Sequence, residues 1–282
     1  MTALLALASS LLWGTADFLG GTATRRLPAY AVIGGSQALA VLMLLPVAVP
    51  TGSLGASLGY LPWALASGIV GLIALAAFYS ALATGTMGVV APIAATSVVV
   101  PVAVGVASGD TPSIAQLAGI VAAVGGVVLA SGPARGSRRE RAAMRPLLLA
   151  VVAAAGFGAV TVFLAMGAKS SVVMTLVTMR VETVAILLCL ALLTRRTGGI
   201  SRGDLPLLAA IGFGDVTANA TYSLATLAGD LSIVAVLGSL YPAVTVLLAR
   251  EIHGERFRRI QGFGVSVALA GVVLIAAGGG TG

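Results

Sequence analysis

Residues 60–83, YLPWALASGIVGLIALAAFYSALA, contain no charged side chain. As a helix rising about 1.5 Å per residue, such a run is long enough to cross a ~30 Å hydrocarbon layer. It is one of ten similar blocks. The others lie near 2–23, 29–49, 86–108, 113–132, 146–168, 171–193, 205–227, 231–250 and 258–279. Across the 282 residues, 59% are apolar and 9% charged, and the mean hydropathy is +1.08. A water-soluble domain does not need that much apolar surface and could not keep it dry. Backbone polar groups inside lipid must pair within their own segment, so the blocks are expected to be helices. They are too long and too evenly apolar for the alternating strands of a membrane barrel.

The formal net charge of +7 would suit a nucleic acid, but its placement argues against that partner. Connections between blocks alternate between two sides. One side holds Arg25 and Arg26; Arg135, Arg138, Arg139, Arg141 and Arg145; Arg195, Arg196 and Arg202; and Arg250, Arg256, Arg258 and Arg259. The other holds Lys169 alone. This asymmetry is a positive-inside pattern, and it puts the odd-numbered connections in the cytoplasm and both termini outside. The first block lacks a basic leader region and carries Asp17, so it reads as a retained span rather than a signal peptide. The single cysteine, Cys189, lies inside a block and permits no internal disulfide.

Two halves recur at an offset of 144–145 residues. Gly14 answers to Gly158, the Gly126-Val127-Val128-Leu129 run to Gly271-Val272-Val273-Leu274, and Gly109-Asp110 to Gly254-Glu255. Each half carries five blocks. Five is odd, so the second half enters the membrane from the opposite side, as in the inverted repeats of many secondary transporters. The expected division is 1–132, a basic linker at 133–145, and 146–282. Ala118, Ala122, Gly126 and Ala130 form a small-residue face on the fifth block, and Gly264 and Ala268 begin one on the tenth. Such faces let helices approach closely and gain dispersion contact.

A charge at mid-membrane is costly, so each one calls for a reason. Asp17, Arg180, Glu182 and Asp215 are the four clearest cases. Asp215, Asn219, Tyr222 and Thr226 follow i, i+4, i+7, i+11 and form the clearest polar stripe in the chain. Thr175, Thr178 and Glu182 share another face, from which Arg180 points away by roughly 160°. Trp13 and Asp17 share a looser stripe, Gln37 is a lone amide in the second block, and Gly238, Tyr241 and Thr245 align in the ninth. Pro92 and Pro101 free backbone carbonyls in the fourth. The functional reading is a central cavity with carboxylates at mid-depth, rings for an organic body and amides for orientation. The carboxylates are candidates to carry protons. The structural alternative is that Asp17 bonds a neighbouring helix and Arg180 neutralises a carboxylate from another span. His253 is the only histidine, and no metal-ligand spacing, P-loop or HExxH pattern is present. Nothing in the pattern asks for a cofactor.

The stretch Trp13-Gly14-Thr15-Ala16-Asp17-Phe18-Leu19-Gly20-Gly21 resembles the first span of EamA-type members of the drug/metabolite transporter superfamily. Ser239-Leu240-Tyr241-Pro242-Ala243-Val244-Thr245, running on to Gly254-Glu255-Arg256, is similar to their span-nine signature. Ala91-Pro92 and Gly109-Asp110 are weaker echoes in the first half. The resemblance covers almost the whole chain. It implies a ten-helix basket of two inverted five-helix repeats, with spans one to four and six to nine around a central cavity and five and ten outside it. Many relatives export amino acids, metabolites or toxic organic compounds. The chain departs from the pattern where the second half's GER is only GD in the first. Relatives are often drawn with cytoplasmic termini, whereas the arginines here put both outside; the two readings stand side by side.

The expectation is therefore a multi-pass transporter of the bacterial plasma membrane that exports a small organic solute, coupled to protons or by facilitated diffusion. Asp215, Asn219 and Glu182 are expected at the core of the site, with Asp17, Arg180, Gln37, Tyr222, Tyr241 and Trp13 around it. Two rival readings are an integral-membrane enzyme on lipid-linked substrates and a lipid flippase or accessory subunit. The residues imply no oligomeric state.

Overall fold

A computed structural model describes residues 2–100, 113–131, 138–196, 198–228, 234, 237–238, 240–254 and 259–278. Among these there are ten α-helices and no strand. They are α1 (Thr2–Ala23), α2 (Ala29–Ala48), α3 (Leu61–Thr84), α4 (Met87–Ala95), α5 (Ile114–Ser131), α6 (Arg138–Ala168), α7 (Val172–Thr194), α8 (Leu205–Ala228), α9 (Tyr241–His253) and α10 (Arg259–Gly278). By length and composition, five stretches among the described residues are apolar enough to cross a membrane: Leu4–Ala23, Ala29–Ala48, Leu58–Thr84, Met144–Ala168 and Val172–Thr194. Helix α8 is as long as α3 but carries Asp215, Asn219 and several threonines, which lower its hydropathy. The expected motifs Gly109-Asp110 and Glu255-Arg256, together with Pro101, Ser239 and residues 133–137, lie outside the described residues.

Helix ends follow local chemistry. Ser171 caps α7, its hydroxyl accepting a hydrogen bond from Met174 N–H (3.2 Å). Helix α9 runs three residues past the apolar block to His253 and stops at Gly254, whose φ of 64° suits glycine. Helix α6 starts at Arg138, so part of the arginine-rich stretch expected as linker is helical. Arginine, alanine and glutamate are good helix formers, and nothing between Arg138 and Arg145 stops the turn.

The direction of packing reveals the symmetry. Helix α1 lies antiparallel to α8: Thr2 donates to the Ala228 carbonyl (3.2 Å) and Ser9 to the Ala218 carbonyl (2.9 Å), with Gly214 against Ala16. Helix α3 lies antiparallel to α6, with Gly59 beside Ser170, Trp63 on Phe163 (centroids 6.1 Å apart) and Gly85 beside Pro146. Within one five-helix unit the first and third helices point the same way. The first helix of each half runs against the third of the other, so the halves are inverted. The 144-residue offset reappears in the close approaches. Gly14 packs on Tyr241 and Val244, and Gly158 on Ser97 and Val100. Gly126 of α5 meets the Gly264 and Ala268 backbone of α10, which fits the small-residue faces of those two helices.

The arginine-bearing connections gather at one end. Arg26 reaches Asp204 (3.8 Å), Thr22 bonds His253 Nε2 (2.9 Å), and Gly198 abuts Ala31. Lys169 follows α6 at the other end, next to Ser170 and Gly59. Before α8, Asp204 accepts hydrogen bonds from the Ser201 hydroxyl (2.6 Å) and N–H (3.0 Å). These bonds, with Arg26 as a lesser contributor, hold its carboxyl below the usual range. The depressed folded value means this stabilisation is present above the unfolded pKa of about 3.9 and is lost as pH falls through the folded one. Asp204→Asn should therefore lower stability slightly at neutral pH. The gap to the parent should close in acid, as followed by thermal melting between neutral and strongly acidic buffer.

Candidate functional site

A cavity of about 1160 Å³, counting its mouth, occupies the middle of the bundle. Its walls come from α1–α4 and α6–α9; no described residue of α5 or α10 lines it. The lining residues fall near mid-helix in α2, α3, α6, α7 and α8, at the C-terminal end of α4 and at the start of α9. On the arginine-bearing side of the cavity the helices are closed by the largest apolar cluster, which includes Phe18, Val32, Phe78, Leu82, Met87 and Ile211. Towards the other end two smaller, separate clusters of described residues flank it.

Helix α4 shows how the chain builds this wall. Pro92 lacks the N–H that would bond back along the helix. Three residues on, α4 gives way to a 3₁₀ turn at Thr96–Val98, and Ala95, Ser97 and Val98 line the cavity. Irregular backbone at membrane depth is tolerated where it borders a cavity rather than lipid.

The polar centre is Asp215 on α8. Its Oδ2 accepts from Arg180 Nη2 (2.9 Å) and Gln37 Nε2 (3.1 Å), and its Oδ1 from Asn219 Nδ2 (2.9 Å). Three helices thus meet on one carboxylate. Asn219, one turn along α8, also donates to the Asp215 carbonyl (2.7 Å). Arg180 is 1% exposed and its Nη1 points at the Leu176 carbonyl (3.5 Å). Its burial is tolerable because the opposite charge and hydrogen bonds are in place. Asp17 on α1 faces the same cavity within the electrostatic field of Asp215. Among the described residues Asp17 has no hydrogen-bond partner. Trp13, one turn before it, stands 5.2 Å from Tyr222 and 6.3 Å from Tyr241, centroid to centroid.

The structure brings together Asp17, Asp215, Asn219, Arg180, Gln37, Tyr222, Tyr241 and Trp13 around one space. It does not bring Glu182 into the cavity lining. The Glu182 carboxyl lies over Gly68 of α3, half-buried, with Oε2 lacking a partner among the described residues. The cause is the angular separation on α7: when Arg180 turns inward, Glu182 turns away. Thr245 also serves a helix contact, donating to the Gly14 carbonyl (3.0 Å). Sequence reasoning missed Ser67, Ser97, Thr161 and Thr183, and the apolar wall of Leu72, Leu75, Phe157, Val160 and Leu164. Thr161 and Phe157 were within reach of it: at the 144-residue offset they are the counterparts of Asp17 and Trp13.

The sequence model of the EamA-like transporter family matches residues 1–132 and 144–277. No curated protein matches the chain. A solved crystal structure is similar in fold, with a TM-score of 0.68 at 18% identity, over 97% of this chain and 95% of that one.

Proposed function

Because the chain belongs to the EamA-like transporter family, and is thus a multi-pass membrane protein of a family that transports small solutes, we propose that it is a ten-span secondary transporter. It exports a small organic solute by alternating access through the central cavity. The observation that carries this reading is the Asp215 carboxylate held by Arg180, Gln37 and Asn219 in a space walled by both inverted halves. A charged and amide-bonded polar centre facing an open chamber is suited to meet cargo at mid-depth, where two opposed halves can exchange shapes around it.

In this reading residues 1–132 and 146–282 are the two moving units, and 133–145 joins them. Asp215, Asn219, Arg180, Gln37 and Asp17 orient the solute, and Trp13, Tyr222 and Tyr241 hold its body. Glu182 lies outside that set. Asp17 and Asp215 are the groups through which protons would couple to the cycle. The membrane is the plasma membrane of a bacterium, with the arginine-bearing end inside.

The test is solute flux in proteoliposomes, screened with a panel of metabolites and toxic organic compounds. Two variants that still melt cooperatively are compared with the parent. Asp215→Asn removes the central charge. Gly71→Phe adds bulk at a lining position, where a Cβ would already stand 3.5 Å from Val160. Both are expected to slow flux at least about tenfold, equivalent to ~1.4 kcal/mol of interaction with the solute. Parent-like flux in both would remove the cavity from the route.

A further inference from the structure

The cavity is not evenly polar. At the 144-residue offset, Asp17 is answered by Thr161, Asp215 by Gly71, Asn219 by Leu75, and Trp13 by Phe157. The acids therefore stand on one side of the pseudo-symmetric space, and the opposite side is small or apolar. A solute that fits it has one polar pole and one apolar body.

The sign of the polar pole follows from the charges. The charged residues among the described lining are Asp17, Asp215 and Arg180. Asp215 is spoken for: Arg180 sits 2.9 Å away and Gln37 and Asn219 complete its bonds. Arg180, 1% exposed, gives Nη2 to Asp215 and Nη1 to the Leu176 carbonyl; only its buried Nε lacks a partner among the described residues, and a single buried N–H is not the two-pronged seat a carboxylate takes. Asp17 has no such partner among the described residues, and its carboxyl faces the space with no cation beside it to balance its ionised form. Beside it stands Trp13, with Tyr222 at 5.2 Å and Tyr241 at 6.3 Å. Ring faces attract cations through their quadrupoles, most strongly where water is excluded.

We propose, building on the transport reading above, that the solute is an amphipathic organic monocation, its ammonium-type centre seated at Asp17 among the rings of Trp13, Tyr222 and Tyr241. Its apolar body lies towards Phe157, Leu75 and Val160. A zwitterion would need a free guanidinium for its carboxylate, and an anion would meet the unpaired Asp17. Neither finds its complement.

The experiment uses the full chain in detergent and three probes with the same phenyl body: phenethyltrimethylammonium, phenylalanine and 3-phenylpropanoate. Isothermal titration should show the cation binding tightest. Asp17→Asn should weaken the cation at least about tenfold, equivalent to ~1.4 kcal/mol, while Asp17→Glu retains most of the affinity. Equal or tighter binding of phenylalanine or 3-phenylpropanoate overturns the assignment. So does unchanged cation affinity in an Asp17→Asn protein that melts like the parent. Should Asp17→Asn not fold, Trp13→Leu takes its place: weakened cation binding supports the aromatic seat and unchanged affinity overturns it. Proteoliposome flux separates this inference from the reading it rests on. Flux of phenylalanine without the cation overturns the charge assignment and leaves transport standing. Cation binding with no flux of any probe leaves the cation site standing and removes transport.

Discussion

Arg180→Met should destabilise the bundle by about 3–5 kcal/mol, the effect of stripping one partner from a buried ion pair. The guanidinium is 1% exposed and supplies the one positive charge, 2.9 Å from Asp215, that balances this carboxylate in the described lining. Its removal leaves Gln37 and Asn219 to support an anion at mid-membrane, and two neutral amides do not offset a full charge. The double variant Arg180→Met with Asp215→Asn should recover much of the stability, because that pair then leaves no charge behind. The coupling between the two changes, read from thermal or denaturant unfolding in detergent, should fall in the upper part of the ~0.5–3 kcal/mol found for groups in contact. Simple additivity would mean that the pair contributes little to holding α7 against α8.

A second large effect is expected where α5 meets α10. Gly126→Leu should destabilise the protein by about 1–3 kcal/mol or more, since overpacking of a tight contact drives backbone apart. The obstacle is the Ala268 and Gly264 backbone, which cannot rotate out of the way as a side chain can. The neighbouring residue is the control. A side chain added at Gly125 meets nothing within 4 Å, so Gly125→Leu should leave the melting temperature close to that of the parent. Because no described residue of α5 or α10 lines the cavity, the damage should appear as lower stability and loosened halves, with affinity for solute little changed in the folded fraction.

Much of this architecture is written in the chain in physical terms. The apolar blocks predict helices because lipid forbids unpaired backbone. The odd count per half predicts inversion, and the antiparallel course of α1 along α8 and of α3 along α6 bears that out. The alternation of arginines predicts that the odd connections share an end, and Arg26, Asp204, Thr22 and His253 meet there. The stripe of Asp215, Asn219 and Tyr222 predicts which face of α8 turns inward. What a single helix pattern does not contain is the partner across the gap. Arg180 and Glu182 are both charged and two residues apart, and only the packing of α7 against α2, α3 and α8 decides which of them is taken in. The apolar wall is equally hidden, because Leu75 and Val160 look like any lipid-facing leucine or valine until the opposite helix is in place. The 3₁₀ turn after α4 is foreshadowed by Pro92, but its role as cavity wall comes from tertiary structure.

The most direct measurement is the accessibility of one cavity position from each side of the membrane. Thr161, the pseudo-symmetric counterpart of Asp17, lines the cavity. Combining Thr161→Cys with Cys189→Ser removes the native thiol and leaves a single reporter thiol at mid-depth. An impermeant thiol reagent added from the arginine-poor side should label it, since the largest apolar cluster closes the other side. A transported solute should shift the balance so that labelling from the arginine-bearing side rises as the cycle turns. A reporter at position 161 that reacts from neither side, with or without solute, in a protein that still catalyses flux, would contradict passage through this chamber.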